Sequence, residues 1–142
     1  MKKYTITLLF LFCLFSLQSQ TIFGKWHSTN EETGEIDSVV EVYQKNDKAF
    51  AKVVKIMDSK RQDFLCDLCK GKQKNTPILG LNILTGLKKT GDEWSGGKIL
   101  DPRNGKEYQC YIKLETPNKL KLRGYIGISL LGKTAYWTRV SE

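Results

Sequence analysis

From residue 20 onward, apolar and polar positions alternate in short runs. Lys106 to Glu115 is the clearest: Tyr108, Cys110, Ile112 and Leu114 share one parity, and Glu107, Gln109, Tyr111 and Lys113 share the other. A period of two marks a strand with one buried face. Leu120, Leu122 and Ile126 form a similar set opposite Lys121, Arg123 and Tyr125, and Ile36, Val40 and Val42 form another. Ile22 to Thr29, Lys48 to Met57, Ile78 to Lys88, Trp94 to Leu100 and Thr134 to Val140 are further β-rich runs. In Lys48 to Met57 the pattern leaves the buried face open, because Phe50, Val54 and Ile56 share their parity with Lys52. Nowhere does an apolar stripe at helical spacing persist beyond two turns.

Turn chemistry separates these runs. Asn46-Asp47, Thr90-Gly91-Asp92-Glu93 and Thr116-Pro117-Asn118 are turn signals, and Asp101-Pro102-Arg103-Asn104-Gly105 is the strongest. Proline presets φ there, and Asn-Gly accepts positive φ. About eight strands in sequential hairpin order predict an all-β chain, a small antiparallel up-and-down barrel, with a half-open β-sandwich as runner-up. An eight-stranded barrel either fills with side chains or holds one small ligand, and closure removes the sheet edges. Asp58 to Pro77 interrupts the pattern as the longest irregular stretch; loops of that length often carry function. Gly80 and Gly86 are bulge candidates within the run that follows it.

The first residues follow other rules. Lys2 and Lys3 precede an apolar run from Thr5 to Leu17, and Ser19 supplies a small residue at a cleavage site. This layout predicts a signal peptide over residues 1–19, export to the periplasm or the cell exterior, and a single β-domain over residues 20–142 with no transmembrane segment after cleavage. Phe12 ahead of Cys13 argues against lipid attachment at that cysteine. A length of 142 residues, 40% hydrophobic and 27% charged, excludes a large multidomain enzyme, a disordered chain and a multi-pass membrane protein. The formal net charge is +8, but the lysines beyond the leader are scattered, as at Lys52, Lys55, Lys88, Lys98, Lys113 and Lys121. That is the pattern of a solvated surface; it contains no nucleic-acid module.

After the leader three cysteines remain: Cys66, Cys69 and Cys110. Cys110 lies on the apolar parity of its strand and reads as a small buried filler. Cys66 and Cys69 are then the natural disulfide pair, shaping the 58–77 loop. A redox reading of Cys66-x-x-Cys69 needs a following helix N-terminus to activate a thiol. Lys70-Gly71-Lys72-Gln73 has no apolar period to build one. Zinc needs four ligands, and only Cys110 and His27 are left as soft donors, so no metal is expected.

Gly24-Lys25-Trp26 on the first strand, with Arg139 on the last, resembles the lipocalin and wider calycin barrels. That resemblance implies an indole under a guanidinium closing one end of the barrel. A second resemblance spans nearly the whole mature chain. It rests on Gly24-Lys25-Trp26, Cys66-Asp67-Leu68-Cys69-Lys70-Gly71, Gly80-Leu81-Asn82-Ile83-Leu84, Trp94-Ser95-Gly96-Gly97-Lys98-Ile99-Leu100-Asp101-Pro102 and Gly105-Lys106-Glu107-Tyr108. The closing segment from Arg123-Gly124-Tyr125-Ile126-Gly127 through Leu131-Gly132-Lys133-Thr134 to Trp137-Thr138-Arg139 completes it. These residues are similar to the bacterial envelope family catalogued as domain of unknown function 2147. The resemblance implies a small exported barrel and no particular activity.

No nucleophile elbow, phosphate loop or H-E-x-x-H element is present. His27 has no partner fixed by spacing, and Asp101 suits a turn better than catalysis. No catalytic residue and no cofactor is therefore expected. Trp94, Tyr108, Tyr136 and Trp137 are the candidate ligand-binding side chains, amphipathic rings suited to an apolar cavity with a polar rim. The expected function is non-catalytic binding of a small apolar or anionic amphiphilic molecule. The alternatives are an inhibitor-like interaction module, with a protein partner at the 58–77 loop or the 127–132 turn, and a thiol oxidoreductase built on Cys66 and Cys69.

Overall fold

The computed structural model describes residues 20–141; the expected leader, residues 1–19, lies outside the described residues. The alternation becomes eight strands: β1 (Gly24–Thr29), β2 (Ile36–Lys45), β3 (Lys48–Ile56), β4 (Asn82–Thr90), β5 (Glu93–Asp101), β6 (Lys106–Thr116), β7 (Lys119–Tyr125) and β8 (Gly132–Arg139). Each pairs antiparallel with the next and β8 returns to β1, closing an up-and-down barrel in chain order. The β2–β3, β4–β5 and β6–β7 turns lie at one end. The β1–β2, β3–β4, β5–β6 and β7–β8 connections lie at the other.

The face of β3 that the sequence left open is decided by a bulge. Ala49, Ala51 and Val53 are buried. Val39 then pairs with Lys55 while Val40 pairs with Val53, so Val54 has no partner on β2 and Ile56 returns to the core. A bulge of this kind bends a strand and changes its parity. Phe50 consequently lies outside, with its ring 5.7 Å from that of Tyr43.

β4 starts at Asn82 rather than at Ile78. The intervening residues are drawn into the β3–β4 connection instead. The Ile78 amide donates to the Phe64 carbonyl at 2.9 Å, Leu65 bridges to Pro77, and Gly80 turns the chain at φ 90°.

Trp26 seals the end carrying the short turns. Its side chain is fully buried and Nε1 donates to the Ile22 carbonyl at 2.9 Å. The Arg139 guanidinium lies 4.2 Å from the indole centre and donates to the carbonyls of Pro117, Phe23 and Thr21 at 2.8, 3.0 and 2.7 Å. One guanidinium thus ties the start of β1, the end of β8 and the β6–β7 turn together.

Candidate functional site

The lower barrel is packed and the upper barrel is hollow. Leu84, Leu87, Ile112 and Leu120 are fully buried below. Higher up the inward positions become small: Ser28 faces Ser38 across β1 and β2, and Gly124 faces Cys110 across β6 and β7. The missing side-chain volume leaves a cavity of about 800 Å³ opening at the end with the long connections. Its wall includes Val53, Ile83, Ile99, Leu122, Tyr108 and Trp137.

All four connections at this end contribute to the rim, and two of them are locked against each other. In the β5–β6 turn the Asp101 carboxylate accepts from the Arg103 amide at 3.0 Å and from its guanidinium at 2.9 Å, while the Asn104 side-chain oxygen accepts from the Lys106 amide at 2.8 Å. The Asn104 side-chain amide also donates to the Tyr108 hydroxyl at 3.2 Å, fixing that ring at the mouth. Burial disfavours the Asp101 charge, but the hydrogen bonds and charge of Arg103 outweigh it and hold the carboxyl below its ordinary range.

The β3–β4 connection folds over this turn. Cys66 and Cys69 form a disulfide, their Cα atoms 5.3 Å apart and both residues buried. Gly105, at φ 68°, lies so near the loop backbone that a Cβ there would stand 1.9 Å from the Leu68 carbonyl oxygen. Only glycine fits both the left-handed backbone and that approach. The disulfide loop is therefore a fixed part of the rim.

Two ion pairs stand at the mouth. Asp101 holds Arg103 and Glu31 holds Lys133. The Arg61 guanidinium, 5.6 Å from the Phe64 ring, has no carboxylate partner among the described residues. Asp37 and Asp67 complete the charged lining. Among the described residues no three His, Cys, Asp or Glu side chains are grouped as a metal site.

Of the four aromatic candidates, Tyr108 and Trp137 line the cavity; Trp94 and Tyr136 do not. Trp94 points inward in the packed half, edge-on to Phe23 with centroids 5.4 Å apart. Tyr136 neighbours an inward Trp137 and so must point outward, where the Lys119 ammonium lies 4.3 Å from its ring. His27 sits between Val39 and Thr138 on the outer face, with a buried Nδ1 that has no partner. The lining contributed by Ser28, Ser38 and Gly124 escapes sequence reasoning because nothing marks a residue important for being small.

The Cys66–Cys69 pair is followed by a three-residue 3₁₀ turn (Gly71–Gln73) with no side-chain cap, which offers little dipole to activate a thiol. Cys110 is free, and burial pushes its thiol up to about 12. In the native protein at pH 8, Cys110 is therefore expected to resist iodoacetamide, and to react once the chain is unfolded in guanidinium. Peptide mass spectrometry checks this; native labelling at Cys110 would contradict its sequestered position.

The bacterial family described as "Uncharacterized protein conserved in bacteria (DUF2147)" matches residues 24–139, from the first residue of β1 to the last of β8. The chain belongs to this family. No curated protein sequence matches it. Among solved structures, the DUF2147 barrel is similar to protein HP1028 from Helicobacter pylori, described as belonging to the lipocalin family. The TM-score is 0.75 at 22% identity, over 86% of this chain and 84% of that one. At that identity the likeness establishes a lipocalin-like fold.

Proposed function

We propose that this barrel binds one small apolar or amphiphilic molecule without transforming it. The cavity carries this reading. Its volume, about 800 Å³, falls in the range of small-molecule sites, and an apolar wall with a few polar groups at the mouth is their usual composition. Arg61 is the rim cation left for a carboxylate or phosphate head, since Lys133 is taken by Glu31. The leader-like residues 1–19 and the disulfide support export to an oxidising compartment.

Filling the cavity tests the proposal. A Cβ at Gly124 would meet only ordinary contacts, Ile99 at 3.6 Å and Tyr108 at 3.7 Å. Gly124→Leu should therefore fold and occupy the ligand's space. The expected result is binding of anilinonaphthalene sulfonate, displaced by dodecanoate, weakened by about tenfold or more in Gly124→Leu. Arg61→Gln should weaken dodecanoate and leave dodecanol unchanged. Equal dye binding by the wild type and a folded Gly124→Leu would refute the cavity as the site.

A further inference from the structure

Exposed apolar side chains are segregated on this molecule. Among the described residues, every large one except Tyr136 belongs to the open end: Ile36 at the start of β2, Met57 to Leu79 in the β3–β4 connection, and Ile126 to Leu131 between β7 and β8. The opposite end presents Asn46-Asp47, Gly91-Asp92 and Pro117-Asn118. Scattered exposed leucines are ordinary on any protein, but a ring of them at one end marks an interaction surface.

The most exposed members sit on a braced tip. Leu130 is 82% exposed, Leu131 73% and Ile128 58%. Arg123 reaches under them, donating to the Ser129 carbonyl at 2.6 Å, the Leu130 carbonyl at 3.2 Å and the Thr134 hydroxyl at 2.7 Å. Two of these hydrogen bonds hold the tip's backbone and the third ties Arg123 to β8, while the tip's leucines stay in water. Across the mouth, Phe64, Leu65 and Leu68 project from the disulfide-clamped loop.

We infer that the open end docks on an anionic lipid surface, with the Ile126–Leu131 tip and the Phe64–Leu68 loop entering the headgroup boundary. Apolar tips on separate loops around a hollow mouth suit a fluid phase that closes around each one. A protein partner instead needs a continuous packed face. Charge agrees with this orientation. The β3–β4 connection carries Lys60, Arg61, Lys70, Lys72 and Lys74 against Asp58, Asp63 and Asp67, while Lys133 beside the tip is paired with Glu31. The β1–β2 loop, with Glu31, Glu32 and Glu35, bears no apolar side chain, so the basic contacts to headgroups come from the β3–β4 connection. Docked this way the cavity mouth faces the acyl region; that consequence rests on the cavity reading, whereas the docking itself does not.

Vesicle flotation tests the inference, with vesicles of equimolar phosphatidylglycerol and phosphatidylethanolamine compared with phosphatidylcholine alone. The wild type is expected to float with the anionic vesicles, and the Ile128→Asp/Leu130→Asp variant, at two exposed tip residues that do not line the cavity, to partition about tenfold less in the same preparation. The variant should still bind anilinonaphthalene sulfonate in vesicle-free buffer, a measurement that tests the cavity separately. Absence of wild-type flotation, or equal flotation of the variant, overturns the docking. So does a sedimenting dimer that the double substitution dissociates, since the tips would then be buried against a second copy.

Discussion

Replacing Trp26 with alanine is expected to cost about 3–5 kcal/mol of folding stability, near the upper end for loss of a buried aromatic. The expected observation is a large drop in the urea midpoint with little change in slope. Three losses coincide at this residue. The indole is fully enclosed, so its removal leaves a void at the end of the barrel that must stay closed. The Ile22 carbonyl loses its indole donor. Arg139 loses the ring lying 4.2 Å beneath its guanidinium, a cation–π contact worth ~0.5–2 kcal/mol depending on burial. Trp26→Phe separates these effects. It keeps much of the volume and an aromatic face but no donor, so its cost should be smaller, about 1–2 kcal/mol. Retained dye binding in Trp26→Phe would show that the seal and the cavity are independent parts of the barrel. A Trp26→Ala protein within about 1 kcal/mol of wild type would mean that the floor repacks without the indole.

The closure was legible in the sequence because its signals are local. Alternation in Lys106–Glu115 and the Asn-Gly turn before it define a hairpin from neighbouring residues alone, and eight such units leave few topologies. Parity also placed Tyr108 and Cys110 inward, where the structure has them. The cavity was less legible for three physical reasons. It is defined by side chains that are small, at Ser28, Ser38 and Gly124, and a sequence pattern reports where bulk is present. The parity rule also breaks at bulges: with Val54 left unpaired on β3, the small alanines Ala49 and Ala51 face the core and Phe50 faces out. Finally, the rim is a non-local contact. Nothing in Gly105 or in Cys66-x-x-Cys69 alone says that one backbone rests on the other. Tyr136 was within reach of simple geometry, however, because consecutive residues of a strand cannot both face the interior.

Gly97→Ala is expected to destabilise the barrel by about 3 kcal/mol, the upper end for a core overpacking change. The neighbouring Gly96→Ala should cost only about 1 kcal/mol. The two glycines lie side by side but serve different needs. Gly96 adopts φ 77° with nothing within 4 Å of a would-be Cβ, so alanine there meets backbone strain alone. Gly97 has no such φ, but a Cβ would stand 2.3 Å from the Thr85 carbonyl oxygen and 2.8 Å from the Leu87 amide nitrogen. Both are backbone atoms of β4, and neither can rotate away as a flexible side chain would. The closeness follows from paired irregularities. Ser95 and Gly96 together oppose the single residue Tyr111 between the Trp94–Ile112 and Gly97–Cys110 pairs, while Thr85 and Gly86 together oppose Phe50 between the Ala51–Leu84 and Ala49–Leu87 pairs. Facing bulges on adjacent strands let the sheet coil tightly enough to close, and they bring the two backbones into contact where they meet. A methyl group at Gly97 pushes β4 and β5 apart at that bend. Urea unfolding of the two single variants beside wild type decides the matter. If Gly96→Ala proves the more costly of the two, the bend is limited by left-handed backbone and the close approach at Gly97 has slack.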